Sequence, residues 1–235
     1  MSEGHEMRWG GLAGLGSVVL AVIGGAVMGG APKVTDSTGT IAAYLSDHRG
    51  QIMTAAMLYA IAIVLFVWFG AALATAFRRA DETSDTPAVV LAGFVLVSAI
   101  GFIAVSVFAG MAYAMTAHRG LLIFAAGPYT ALTVVGTIAG IAVALPLGAC
   151  AVAIMRTHVF PMWMAWFAGV VALIRVLAAL TAGVTGGALV PGGWLASYIP
   201  GLLVGLWVLA ASGLLVYEHL PVVSARTPPR AMGHA

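Results

Sequence analysis

Six long apolar runs divide the chain, and short polar or turn segments separate them. The runs cover residues 9–30, 51–77, 88–115, 129–155, 161–184 and 194–217. Each has about the 20 residues that a helix needs to cross a bilayer core of roughly 30 Å. The ten-residue alternating segments of a membrane β-barrel are absent from this pattern. It predicts an all-α, polytopic membrane protein, with a six-transmembrane-helix bundle in residues 1–220 and a disordered cytoplasmic tail in 221–235.

The composition agrees with this class of protein. Of 235 residues, 62% are hydrophobic and 8% are charged, whereas a soluble domain has roughly a quarter of its residues charged. The net charge of +2 gives no reason to expect nucleic acid as a partner. The single cysteine, Cys150, excludes an intrachain disulfide and a cysteine-rich metal site. Membrane lipids are therefore the expected surroundings.

The distribution of basic residues predicts the orientation. If the N-terminus is inside, the cytoplasmic side carries Arg8, Arg78, Arg79, Arg156, Arg226 and Arg230, and the outer side carries Lys33, Arg49 and Arg119. Basic residues favour the cytoplasmic side in short loops. Both termini are thus predicted to be cytoplasmic, with the first apolar run as a span rather than a cleaved signal.

The outer segment between the first two spans contains a helix signal. Asp36 or Ser37 can cap a helix, and Ile41, Tyr44 and Leu45 then share one face. The pattern predicts a short helix lying on the outer membrane interface, and an ordered loop is the alternative.

A short polar sequence occurs twice. His48-Arg49-Gly50 precedes Tyr59, and His118-Arg119-Gly120 precedes Tyr129 at the same spacing. The repeat favours a duplicated helical hairpin, with spans one and two matching spans three and four, and it puts both copies on the outer side. Helix caps and interfacial anchors are the alternative interpretation.

Arg175 is the one charge well inside a predicted span. It lies about fourteen residues after Pro161, or roughly 21 Å along the helix, in the outer half of the bilayer. Its side chain either fixes helix packing through a carbonyl or carboxylate, or forms the floor of an outward-facing polar pocket for a lipid headgroup, carboxylate or phosphate. The other candidate ligand-binding residues are Asp47, His48, Arg49, His118 and Arg119 at the rim and Tyr59, Tyr113 and Tyr129 on the walls.

Other chemistries have weaker signals. His48 and His118 suggest haem ligation, but they lie at span ends, and no second histidine pair faces them across the membrane. No local spacing assembles a metal site, so neither metal nor cofactor is expected. The sequence contains no nucleophile elbow, P-loop or zinc-protease motif, so no catalytic residue is predicted.

Small residues recur at helical spacing in two spans. They are Gly136, Gly140, Ala144 and Gly148 in span four and Gly201, Gly205 and Gly213 in span six. Such faces allow close helix approach, either within the bundle or in a homo-oligomer or complex with a protein partner. The sequence therefore predicts a binding or accessory protein, with a subunit of an envelope or respiratory complex as one form of it. A small transporter is the alternative, and a haem-containing redox subunit is a further one.

The segment from Ala31 through Arg79 carries a recognisable order of features. Pro32 and an acidic residue are followed by Ala42-x-Tyr44, then Asp47-His48-Arg49, then a span with Trp68-Phe69. This order resembles actinobacterial multi-pass membrane proteins that have no assigned activity. The resemblance implies a bacterial plasma membrane and about six spans, and it implies no reaction.

Overall fold

The computed structural model describes residues 3–217, without the side chains of residues 3–6 and 119. The described backbone is helical and contains no β-strand. Six segments are long and apolar enough to cross a membrane: Met7–Met28, Arg49–Ala80, Thr86–Ala117, Ala126–Thr157, Met162–Gly183 and Trp194–Tyr217. The all-α, multi-pass prediction is confirmed, and the predicted tail at 221–235 lies outside the described residues.

Eight α-helices make up most of the described chain. They are α1 (Glu3–Met28), α2 (Thr38–Asp47), α3 (Arg49–Ala80), α4 (Thr86–Ala117), α5 (Ala126–Ile138), α6 (Gly140–Thr157), α7 (Met162–Ala179) and α8 (Ile199–Tyr217). The 3₁₀ turns Arg119–Phe124 and Leu180–Gly183 and the π-helical turn Trp194–Tyr198 join them. The pair α5–α6 forms the fourth span, and α2 is too short to span.

The spans form a closed ring in chain order. Each packs on the next, from α1 and α3 through α4 and α6 to α7 and α8, and α8 packs back on α1. We call the end of the ring that carries α2 the α2 end, and the other the opposite end. Helices α3 and α4 have 32 residues each. At about 48 Å they are longer than a hydrocarbon core of roughly 30 Å, so they tilt or extend beyond it.

An aromatic cluster fills the half of the bundle toward the opposite end. Phe69 meets Phe94 edge-on at 5.7 Å and Trp207 at 6.5 Å between ring centroids. The indole Nε1–H of Trp207 donates a 3.2 Å hydrogen bond to the Met164 carbonyl, which satisfies its buried polar atom. This cluster joins α3, α4, α7 and α8 into one apolar core.

Close helix contacts occur mainly at glycines outside the two predicted rows of small residues, which we call the span-four and span-six ladders. A Cβ at Gly14 would strike Ser212, one at Gly70 would strike Phe94, and one at Gly93 would strike Pro146. In the span-four ladder, a Cβ at Gly136 or Gly148 would meet nothing within 4 Å. In span six the same holds for Gly201 and Gly213, while Gly205 only touches Val18. The ladders therefore do not hold the ring together as a whole, and among their glycines Gly140 makes the close contact.

The predicted short helix is present as α2, but its surroundings differ from the expectation. Ser37 caps it, since the Ser37 Oγ accepts a 3.2 Å hydrogen bond from the Thr40 N–H. Ile41 and Leu45 are fully buried in a second apolar cluster with Met111 and Met115 of α4. The apolar face thus packs on protein at the α2 end instead of lying in lipid, because the long α3 and α4 extend far enough to cover it.

The fourth span is interrupted at Ala139, between α5 and α6. Before the break, the hydroxyls of Thr133 and Thr137 donate to the carbonyls four residues earlier, at 2.9 and 3.0 Å. Such side-chain bonds compete with the helix ladder and bend it. Pro146 lies inside α6 and lacks the N–H that would bond the Ala142 carbonyl. The span therefore consists of two helices that meet within the membrane-spanning region.

Candidate functional site

Arg175 lies on the face of α7 that is turned toward the bundle. Residues on that face at helical spacing, Ala168, Val171, Ala172 and Ala179, are buried. The opposite face carries the exposed stripe Trp166, Val170, Leu173, Leu177 and Leu180. Arg175 itself is partly buried. Because the exposed stripe is on the other side of the helix, Arg175 extends from the face of α7 that packs against the bundle.

The Arg175 side chain lacks a partner in the described part of the chain. Its Nε atom is buried and has no hydrogen-bond acceptor there. A buried donor without an acceptor costs about 1–3 kcal/mol, and more when the group is charged. An arginine within a span is expensive even when it is paired. The Nε–H of Arg175 is therefore a buried donor that no described residue satisfies.

The break in the fourth span lies directly beside Arg175. Gly140 begins α6, and a Cβ on it would lie 2.8 Å from the Arg175 carbonyl oxygen. Only glycine allows this approach. The first N–H groups of a helix have no intrahelical acceptor and carry partial positive charge. The N-terminus of α6 thus lies against the backbone of Arg175 on α7.

Two tyrosines, Tyr44 of α2 and the predicted wall residue Tyr129, hold the linker that follows α1. The Tyr44 hydroxyl donates to the Met28 carbonyl at 3.0 Å, and the Tyr129 hydroxyl donates to the Pro32 carbonyl at 2.6 Å. Tyr129 is buried, so its hydroxyl serves the fold rather than lining an open wall. The Tyr44 bond satisfies a carbonyl in the last turn of α1, and the Tyr129 bond satisfies a carbonyl of the linker itself.

Tyr198 joins these tyrosines into a group that sequence reasoning missed. Burial raises the pKa of Tyr44, and the nearby phenols of Tyr198 and Tyr59 raise it further. Tyr198 is also an electrostatic neighbour of Tyr129. The Tyr59 ring packs on α1, where a Cβ on Gly24 would lie 3.3 Å from it. Tyrosines of α2, α3, α5 and the π-helical turn thus meet near the α2 end, a grouping that depends on the closure of the ring.

The predicted rim residues lie at the surface of the α2 end. Exposed Asp47 accepts a 2.9 Å hydrogen bond from the Ser46 hydroxyl. The His48 ring stacks on Tyr44 at 5.0 Å between centroids. The Arg49 guanidinium lies over the exposed Tyr113 ring, 4.9 Å from its centroid, so Tyr113 is a surface partner of Arg49.

The two repeated sequences occupy the same end and similar positions. The His48 N–H bonds the Tyr44 carbonyl and the His118 N–H bonds the Ala114 carbonyl, so each histidine follows the last turn of a helix. Arg49 then begins an α-helix, whereas Arg119 begins a 3₁₀ turn. The side chain of Arg119 lies outside the described residues.

The described part of the chain shows no hydrogen bond or ion pair between Arg175 and the rim residues. Their convergence above Arg175 remains a prediction. The described residues also contain no group of three or more His, Cys, Asp or Glu that could hold a metal ion.

The six apolar spans define the class as a helical, multi-pass integral membrane protein. Comparisons with protein-family models, with curated proteins and with solved structures found no match to this chain. Function is therefore inferred from the chemistry of the Arg175 site.

Proposed function

We propose that this protein is an integral membrane binding protein that holds an anionic group against Arg175. The observation that carries the proposal is the buried, unpartnered Nε of Arg175 on the bundle-facing side of α7. The ligand is a lipid headgroup or a small free anion, since phosphate and carboxylate oxygens have the same chemistry toward a guanidinium.

The geometry suits an anion for two reasons. A guanidinium presents five N–H donors in a planar fork that matches carboxylate and phosphate oxygens. At the same residue, Gly140 lets the N-terminus of α6 approach within van der Waals distance of the Arg175 backbone, and a helix N-terminus favours negative charge. Charge-assisted hydrogen bonds in such a water-poor place are roughly twice as strong as neutral ones.

The α2 end is the proposed entrance through which a ligand reaches Arg175. Tyr59 and Tyr198 offer an apolar ring and a polar hydroxyl, which suits a lipid headgroup with its acyl chains. Asp47, His48, Arg49, His118 and Arg119 are proposed to attract and select ligands at the rim. In this view the protein is located in a bacterial plasma membrane. It acts as an accessory subunit whose open glycine faces, at Gly201 and Gly213, contact a protein partner or a second copy.

A small transporter is a second candidate, and the broken fourth span favours it. Transporters often place discontinuous helices around a charge near the bilayer midplane. Here the break at Ala139 lies beside Arg175, and a π-helical turn precedes α8. However, Phe69, Phe94 and Trp207 fill the half of the ring toward the opposite end. A binding site open to one side therefore agrees better with the packing than a path through the molecule.

The first experiment compares Arg175→Gln and Arg175→Lys with Arg8→Gln, which removes an exposed charge from α1. Lipids that remain bound after gentle purification are identified by mass spectrometry, and inorganic phosphate binding is measured by equilibrium dialysis. We expect Arg175→Gln to lose the bound anion and Arg175→Lys to retain part of it, while Arg8→Gln behaves as wild type. An unchanged lipid and phosphate content in folded Arg175→Gln would refute the binding site.

The binding protein and the transporter predict different results in a liposome flux assay. Anion flux that Arg175→Gln abolishes would establish the transporter and replace the accessory role. Binding without flux would support the binding protein. An absorption spectrum with a Soret band would instead establish the haem alternative.

A further inference from the structure

A second polar groove opens at the opposite end of the bundle, on α4 and α6. We call it the loop groove, because the α3–α4 loop forms its mouth. It has a volume of about 690 Å³, and its walls are the loop, the start of α4 and one face of α6. This volume is within the usual range for small-molecule sites.

The mouth of the loop groove carries both signs of charge without an ion pair between them. Arg156 reaches the Ser84 hydroxyl at 3.4 Å, and that is its one hydrogen bond among the described residues. The carboxylate of Asp85 makes no cap hydrogen bond to α4. One carboxylate oxygen of Asp81 accepts hydrogen bonds from the N–H and the hydroxyl of Thr83. A guanidinium and two carboxylates therefore face the same opening.

The rest of the loop groove is apolar and open to the membrane. Its floor is made of Ala144, Gly148 and Ala149 of α6, and a Cβ at Gly148 would meet nothing within 4 Å. Exposed Val89, Leu145 and Val152 form its sides. An acyl chain can lie along such a channel, because small residues leave room and the side walls are hydrocarbon.

We propose that the loop groove binds a phospholipid whose headgroup carries a primary ammonium, such as phosphatidylethanolamine. The phosphate lies at Arg156 and the Ser84 hydroxyl, the ammonium donates to Asp85 and Asp81, and an acyl chain lies over Gly148. This site does not depend on Arg175 or on the function proposed for it.

Charge complementarity selects this headgroup among common lipids. A purely anionic headgroup would satisfy Arg156 but would meet two carboxylates, which repel it. A choline headgroup has no N–H donor and is usually held by an aromatic cage, whereas the loop groove is lined by no aromatic residue in the described chain. An ammonium offers three donors to the carboxylate and hydroxyl oxygens at the mouth.

The test measures lipid affinity by native mass spectrometry of the purified full chain titrated with phosphatidylethanolamine, phosphatidylcholine or phosphatidylglycerol. We expect wild type to prefer phosphatidylethanolamine. Arg156→Gln should weaken its binding about tenfold or more, since a charge-assisted contact is lost. Asp85→Asn should reduce the preference over phosphatidylcholine. Arg78→Gln, which removes a charge at the same end but outside the groove lining, is the matched control.

A steric variant gives an independent readout. Gly148→Leu places a side chain in the channel, where a Cβ would meet nothing within 4 Å, and should abolish the preference. Gly110→Leu, also in open space but near the other end of α4, should leave it unchanged. Equal affinity of wild type for the three lipids would overturn the proposal, as would wild-type selectivity in both Gly148→Leu and Arg156→Gln. A dimer lost specifically in Gly148→Leu, with no lipid preference, would assign the groove to a partner helix instead.

Discussion

Ser212 and Ser17 are two buried serines near Gly14 that differ in hydrogen bonding. The Ser17 hydroxyl donates to the Gly14 carbonyl at 2.7 Å, whereas the Ser212 hydroxyl has no partner among the described residues. We expect Ser212→Ala to raise the free energy of unfolding by about 1 kcal/mol, since an unsatisfied buried hydroxyl is removed, and Ser17→Ala to lower it by a similar amount. Thermal unfolding in detergent measures both. A loss of stability in Ser212→Ala would show that its hydroxyl has a partner, such as water.

Tyr44 gives the protein a dependence on alkaline pH. Burial raises the pKa of Tyr44 above its usual 10.0, so folding favours the neutral phenol. Its contribution to stability is complete below the usual pKa of 10.0 and is lost as the pH rises through the raised pKa of the folded protein. We expect the stability of wild type to fall more steeply above pH 10 than that of Tyr44→Phe, which cannot ionise. Parallel pH profiles of unfolding temperature in the two proteins would contradict this.

Single residues show what the sequence could and could not reveal about the site. Arg175 was predictable because a charge within an apolar run has few explanations. Tyr198 and the contact of Gly140 with the Arg175 backbone were not, because both depend on which spans become neighbours. Tyr129 was placed on a pocket wall, but its hydroxyl bonds Pro32, and that linker has no periodic pattern from which its position follows.

At the level of elements, a small number of buried side chains hold α2 against the bundle. Leu45 is fully buried at the α2 end. Leu45→Ala should cost about 2–5 kcal/mol locally and release α2 from α4, while exposed Thr38→Ala should have little effect. Hydrogen exchange of residues 37–48 measures the release. Equally slow exchange in Leu45→Ala would show that the Ser37 cap and the tyrosine bonds hold α2 without this side chain.

The sequence predicted α2 as a helix but not what covers its apolar face. The spacing of Ile41, Tyr44 and Leu45 defines that face equally well for lipid and for protein, because both are apolar. The break at Ala139 was hidden for a similar reason. The sequence is equally hydrophobic on both sides of Ala139. The hydroxyl bonds of Thr133 and Thr137 near the break do not change the pattern of apolar residues.

For the whole molecule, the six spans were predictable and their order around the ring was not. Apolar side chains gain little by turning from lipid tails to another helix, so hydropathy does not tell neighbours apart. The glycine ladder of span four illustrates this: Gly140 meets α7, while Gly148 faces the open loop groove. The spacing of small residues identifies helix faces that could pack closely. Which of these faces contact another helix depends on the order of the spans around the ring.

The orientation of the ring is the remaining prediction at this scale. With Cys150 replaced by alanine, single cysteines at Ser46 of the α2 end and Thr83 of the opposite end report the two sides. Arg78, Arg79 and Arg156 lie at the opposite end and favour the cytoplasm. We therefore expect a membrane-impermeant thiol reagent to label Ser46→Cys in intact cells and Thr83→Cys only after permeabilisation. The reverse pattern would turn the α2 end and the Arg175 site toward the cytoplasm and restrict its ligands to those found there.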